Sequence, residues 1–126
     1  MSDVMQVGKA IGELVRAGKY LEAIDQYYAP NIVSIEPMAC DETPARTEGI
    51  EAIRKKTIEW ESSTTVHSQT VEGPYPHGDR FIMIYKLEMT PKAGPMAGRR
   101  LSMSEAALYA VKNGKIVHEE FFYSMG

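Results

Sequence analysis

The chain has a single cysteine, Cys40, among 126 residues, so no internal disulfide can form. That fits a reducing, cytoplasmic compartment. Positive charge is not in excess: 14 Lys and Arg against 17 Asp and Glu leave a net charge of -3. The basic residues are scattered, with no stripe interleaved with aromatics, so nucleic acid is not an expected partner. No apolar run is long enough to span a bilayer, and "MSDVMQVGKAIGELV" carries an early acid and a broken apolar run. It reads as neither a signal peptide nor a membrane span. His67, His77 and His118 fall in different elements at no metal-ligand spacing, so no metal is expected. There is no serine-centred elbow and no phosphate-cradling glycine loop, and "PKAGPMAG" has the wrong spacing for either. Cys40 has no evident base beside it, which argues against a nucleophile.

What is present is the pattern of one globular domain over residues 1–126. Val4, Val7, Ile11, Leu14 and Val15 recur at helical spacing and predict a helix over 3–17, stopped by Gly18. Leu21, Ile24 and Tyr28 mark a second short helix, ended near Pro30. A strand follows over 31–36. Ile50, Ile53, Thr57 and Trp60 share one face of a third helix over 48–61, with Glu51, Lys55, Lys56 and Glu59 on the other. Then the period changes to two. Residues 65–72 read as a polar strand ended by "GPYPHGD". In "RFIMIYKLEMT" the apolar positions Phe81, Met83, Tyr85, Leu87 and Met89 alternate, as a strand with one buried face requires. Helices first and antiparallel strands after them make an α+β order. The expected form is a curved, cone-shaped, mainly antiparallel (mixed) sheet wrapped around three N-terminal helices, with an internal cavity.

Asn113-Gly114 is the signal for a two-residue type I′ turn. Such a turn pairs Lys112 with Lys115. Without a bulge it sets Leu108 opposite Glu119 and Glu105 opposite Phe122. One face then holds Leu108, Glu119, Phe121 and Tyr123; the other holds Glu105, Tyr109, Val111 and Phe122. The first is the expected cavity face. The second is apolar enough to want cover, most simply a second copy of the chain. A bulge would bring Glu105 inward instead.

The order and spacing of "AGKYLEAIDQYYAPNIVSIEP", "EGIEAIRKKT" and "ALYAVKNGKIVHEEFFY" resemble the SnoaL-like branch of the nuclear transport factor 2-like superfamily. That superfamily includes ketosteroid isomerase, limonene epoxide hydrolase and polyketide cyclases, together with non-catalytic domains. The resemblance implies the cone fold, and a shared fold does not determine the chemistry. It puts Glu36 where ketosteroid isomerase carries its general base, also before a proline. It puts Ile11 where that enzyme has its oxyanion-binding tyrosine, and that enzyme's second, protonated acid near Ala106 to Leu108, where no acid stands. It also implies inward positions at Glu119, Phe121 and Tyr123 on the last strand, with Phe121 where limonene epoxide hydrolases use an aspartate.

The candidate site residues follow. Glu36 ends an apolar strand before Pro37, with no basic partner near it in sequence, and is expected to face the cavity as the base. Glu119 is the second acid, and Glu105 the second choice for that role. Tyr85, on the inner face of its strand, is either a core aromatic whose hydroxyl reaches the cavity mouth or, as the candidate catalytic role, a hydrogen-bond donor to a ligand oxygen. Trp60, His67, Phe81, Met83, Leu87, Leu108, Phe121 and Tyr123 are expected to line the pocket. Such a pocket suits a small, largely apolar molecule with one or two oxygens and a cofactor-independent isomerase, cyclase or hydrolase. The alternative is a non-catalytic ligand-binding or association domain.

Overall fold

The computed structural model describes residues 2–37 and 45–123; Cys40 lies outside them. Helix α1 (Ser2–Arg16) and helix α2 (Tyr20–Tyr27) lead into strand β1 (Tyr28–Ile35). A short strand β2 (Arg46–Glu48) precedes helix α3 (Ile50–Ser63). Strands β3 (Thr64–His77), β4 (Arg80–Pro91), β5 (Leu101–Lys112) and β6 (Lys115–Phe122) complete the chain. The fold is α+β, with three helices on a six-stranded mixed sheet of order β2-β1-β6-β5-β4-β3. Among the described strands only the β1–β6 pair is parallel.

Helix α3 contacts β1 and β2 at one edge of the sheet and β3 at the other. Residues of β1, β3, β4, β5 and β6 and of all three helices line one cavity, so the sheet wraps around the helices. Helix α1 closes the remaining opening against β3, β4 and β5. It can lie close because Gly8 has no Cβ: one built there would sit 2.6 Å from the Pro74 side chain. Ile11, Ile32, Ile53, Phe81, Met83 and Ile116 are fully buried between the helices and the sheet. Phe81 stacks on Tyr109 with ring centroids 4.9 Å apart.

Three boundaries differ from the sequence expectation. Strand β3 does not end at "GPYPHGD" but runs on to His77, with a register shift between Glu72 and Tyr75. It is an edge strand, so Pro74 and Pro76 need no ladder donor on their open side. Strand β1 begins at Tyr28, which periodicity assigns to the preceding helix. Residues 46–48, expected as loop and helix start, pair antiparallel with β1.

The fourth difference moves the site. The turn at Asn113-Gly114 forms as expected, both residues have positive φ, and Lys112 pairs with Lys115. The register then slips: Val111 pairs with Ile116, but Ala110 pairs with His118. Val117 is the extra residue of a bulge. Beyond it Tyr109 faces Glu119, Ala107 faces Phe121 and Leu108 faces Glu120. The inward set of β5 is therefore Met103, Glu105, Ala107, Tyr109 and Val111, and Leu108 points outward.

Candidate functional site

Alternation along four strands aims polar groups into the space under the helices. On β1 the inward residues are Ile32 and Ser34, and the next step of two reaches Glu36. On β6 they are Glu119 and Phe121, continued by Tyr123. On β5 they are Met103, Glu105 and Tyr109, and on β4 Tyr85 and Leu87. The result is a cavity of about 500 Å³. Helix α2 contributes Tyr20 and Ile24 to its wall, and α3 contributes Ile53, Lys56, Thr57 and Trp60.

Glu119 is buried, with 3 % of its surface exposed. Its two carboxylate oxygens are both occupied. One accepts the Tyr28 hydroxyl, and the other accepts the Ser34 hydroxyl at 2.7 Å. Burial raises its pKa above the ordinary carboxylate value, and the two hydroxyls and the Lys56 ammonium draw it partly back. The same burial, with Glu119 beside it, holds the Tyr28 phenol well above its usual value.

Glu36 lines the cavity, as expected, but it does not stand alone. Lys56 Nζ lies 3.4 Å from its Oε1, and the Tyr123 hydroxyl donates to its Oε2 at 2.9 Å. Lys56 also reaches Ser34 Oγ at 3.4 Å, so it links the Glu36 and Glu119 clusters. Sequence periodicity placed Lys56 on the solvent face of α3. Its long apolar stem lets the ammonium turn over the helix flank to the cavity mouth.

Glu105 is the contrast. It lines the cavity and has no hydrogen-bond or ion-pair partner among the described residues. Burial first, then the nearby Glu36 and Glu119 carboxylates, push its pKa up to about 7. Its register partner on β4 is Tyr85, which faces inward beside it. The Tyr85 and Tyr109 hydroxyls are 2.8 Å apart. Two hydroxyls joined by one bond use one of their two protons, which leaves the other for a ligand. Burial keeps both phenols protonated, far above their usual range.

Of the residues expected from sequence, Glu36, Glu119, Glu105, Tyr85, Trp60, Leu87, Phe121 and Tyr123 line one cavity. Four do not. Leu108 is on the outer face, because of the bulge at Val117. Phe81 and Met83 are packed into the core beneath the wall. His67 is exposed, and its ring nitrogen is 2.7 Å from Thr90 Oγ1 on the neighbouring strand. Tyr109 was expected on the outer face and is 2 % exposed on the inner one. Tyr28, Ser34, Lys56 and Tyr109 were missed as site residues. Alternation from Ile32 could have found Ser34; nothing local marks the other three. Among the described residues no group of three or more His, Cys, Asp and Glu is arranged to hold a metal ion. No helix among them is long and apolar enough to cross a membrane.

The model of the SnoaL-like domain matches residues 3–123. Among solved structures, a Mesorhizobium loti protein provisionally named a SnoaL-like polyketide cyclase, with carbohydrate phosphatase as a second description, is 41% identical. The match covers 94% of this chain and 97% of that one, with a TM-score of 0.85. A provisionally named isomerase from Bacillus subtilis is 16% identical over 98% of this chain and 87% of its own, with a TM-score of 0.77. A Catenulispora acidiphila protein with a ketosteroid isomerase-like fold, crystallised with trimethylamine, is 18% identical over 89% and 81%, with a TM-score of 0.69. Among curated proteins there is no match.

Proposed function

Because the chain belongs to the SnoaL-like domain family, we propose that it binds a small, largely apolar molecule carrying one or two oxygens and moves a proton next to a carbonyl in it. It is on this reading a cofactor-independent isomerase or cyclase. The carrying observation is Glu105: a carboxylate inside the cavity with no partner among the described residues, beside a tyrosine pair with a hydroxyl proton to give. A base poised near neutral pH can take a proton and return it. The proton comes from carbon to Glu105, and the Tyr85–Tyr109 pair donates a hydrogen bond to the oxygen on which negative charge develops. Glu36, the base expected from sequence, is already engaged by Lys56 and Tyr123 and helps raise the affinity of Glu105 for its proton. Glu119 holds Tyr28 and Ser34 in place.

Exchange of the α-protons of cyclic ketones in D₂O tests this. Over a panel from cyclohexanone to 2-tetralone, the protein should accelerate exchange above buffer. The rate should rise with pH through about 7, where Glu105 loses its proton, and Glu105→Gln should abolish it. Ketones that bind without exchanging faster than in the Glu105→Gln variant would leave a ligand-binding domain and overturn the catalytic reading.

The outer face of the sheet supports a second proposal, a homodimer. Tyr75 pairs with Ile82 and Ile82 with Leu108 across three strands, and Ala106 pairs with Phe122 beside them. Tyr75, Ile82 and Phe122 are exposed. A contiguous apolar face of this kind suits a two-fold partner. Sedimentation at micromolar concentration should give twice the chain mass, and Ile82→Glu should return the monomer mass. A wild-type monomer would refute it.

A further inference from the structure

A second recess, of about 300 Å³, lies next to the main cavity. The two share a wall: Tyr20, Trp60 and Gln69 line both. Tyr20 and Trp60 meet edge to face, with ring centroids 5.7 Å apart and planes at 81°. Their contact joins the first residue of α2 to the last turn of α3. Beyond it the recess is lined by polar groups, including Arg16, Glu61 and Thr64.

The two rings are held differently. Trp60 is set by the α3 backbone and by packing. Among the described residues Tyr20 is pinned by one hydrogen bond: its hydroxyl donates to Gln69 Oε1 at 2.6 Å. Gln69 is itself anchored, because its amide nitrogen donates to the Val15 carbonyl at 2.7 Å, at the open end of α1. The partition is therefore one aromatic ring on a hydrogen-bonded stay. On the cavity side the lining includes the apolar Ile11, Val15 and Ile24, and the Glu105 carboxylate is within electrostatic reach of the Tyr20 phenol.

We infer that Tyr20 is the specificity-determining residue for ligand length, because its ring closes the main cavity off from the second recess and ends the space open to the ligand's apolar body. This rests on the reading of the cavity as a ligand site. The ligand class is a molecule with an oxygen-bearing head at Glu105 and the tyrosine pair and an apolar body that ends at the partition. With the ring in place the body must stop at the partition. With the ring absent the two spaces join.

A series of 4-(ω-hydroxyalkyl)phenols of increasing chain length tests this by calorimetry. In the wild type, affinity should climb about fourfold for each buried methylene and then stop climbing at the length that meets the partition. In Tyr20→Ala the climb should continue for at least two further methylenes, a gain of about tenfold or more for the longer probes over the wild type. Tyr20→Phe keeps the ring and loses the stay, so its break should move in the same direction by less. The shortest probes should bind all three proteins alike, which separates a merged recess from a damaged fold. If the short probes bind and the break falls at the same length in all three, Tyr20 does not set ligand length and the inference fails alone. If no phenol of any length binds the wild type, the ligand-site reading fails and takes the inference with it.

Discussion

Glu119 and Glu105 lie on neighbouring strands, face the same interior and are both desolvated, yet they stand in opposite conditions. Glu119 has a donor on each oxygen, Tyr28 on one and Ser34 on the other. Glu105 has none among the described residues, and two carboxylates act on it instead. Burial alone does not separate a structural acid from a reactive one. Partners do. A carboxylate whose lone pairs are already taken orders the groups that hold it, and removing it strands them. A carboxylate facing open cavity is free to exchange its proton with a ligand and is under strain when charged.

The largest effect expected from this contrast is at Glu119. Glu119→Ala leaves the Tyr28 and Ser34 hydroxyls buried without an acceptor, and each such group costs about 1–3 kcal/mol. A loss of about 3 kcal/mol in urea denaturation is expected. A loss under about 0.5 kcal/mol would show that water replaces the carboxylate freely, and the contrast with Glu105 would collapse.

Glu105→Gln should do the reverse, and its effect depends on pH. The folded protein raises this pKa from 4.5 to about 7, so it binds the proton more tightly than the unfolded chain does. For a raised acid, stability falls as pH rises between those two values and is level above the upper one. Below pH 4.5 both states are protonated and the effect vanishes. The variant should therefore match the wild type at pH 4 and exceed it at pH 8 by on the order of 2 kcal/mol. Parallel stability curves for the two proteins from pH 4 to 8 would show that Glu105 is solvated like an ordinary surface acid.

Much of the architecture was legible. Helix and strand periods recovered all three helices and the four long C-terminal-half strands, and the Asn113-Gly114 turn set the first pair of the last hairpin correctly. What failed was the count beyond that pair. The bulge residue, Val117, is a strand former with no glycine or proline to announce it, and one extra residue reverses every β5 side chain relative to β6. That single slip exchanges Leu108 for Tyr109 and realises the bulged alternative, in which Glu105 turns inward. The helix side failed for another reason: Lys56 has a charged tip and an apolar stem, and periodicity reads only the tip. Glu36 was legible as inward-facing, because alternation through Ile32 and Ser34 carries no bulge after residue 33. Its partners were not, since Lys56 and Tyr123 are 20 and 87 residues away.

Glu36 sharpens the comparison because it lies between the two extremes. Among the described residues it has one neutral donor, Tyr123, and one cation, Lys56, at a long 3.4 Å. Both side chains of the ion pair are about one-fifth exposed, so water screens the attraction in part. An unpaired carboxylate at this position would make Glu36→Gln stabilising, as at Glu105. The observed pairing reverses the sign. Glutamine still offers Tyr123 a carbonyl oxygen, so that bond survives. What is lost is the charge facing Lys56, whose ammonium keeps Ser34 Oγ at 3.4 Å and the more distant Glu119. Glu36→Gln should therefore lower stability at pH 7 by about 1 kcal/mol at low salt. The loss should shrink in 1 M salt, where charges are screened over about 3 Å. Combining it with Lys56→Met isolates the pair: the double variant should be no less stable than Glu36→Gln alone, because the neutral side chains leave no charge unpaired. A stabilising Glu36→Gln, at any salt concentration, would mean that the carboxylate is strained like Glu105 and that Lys56 does not neutralise it.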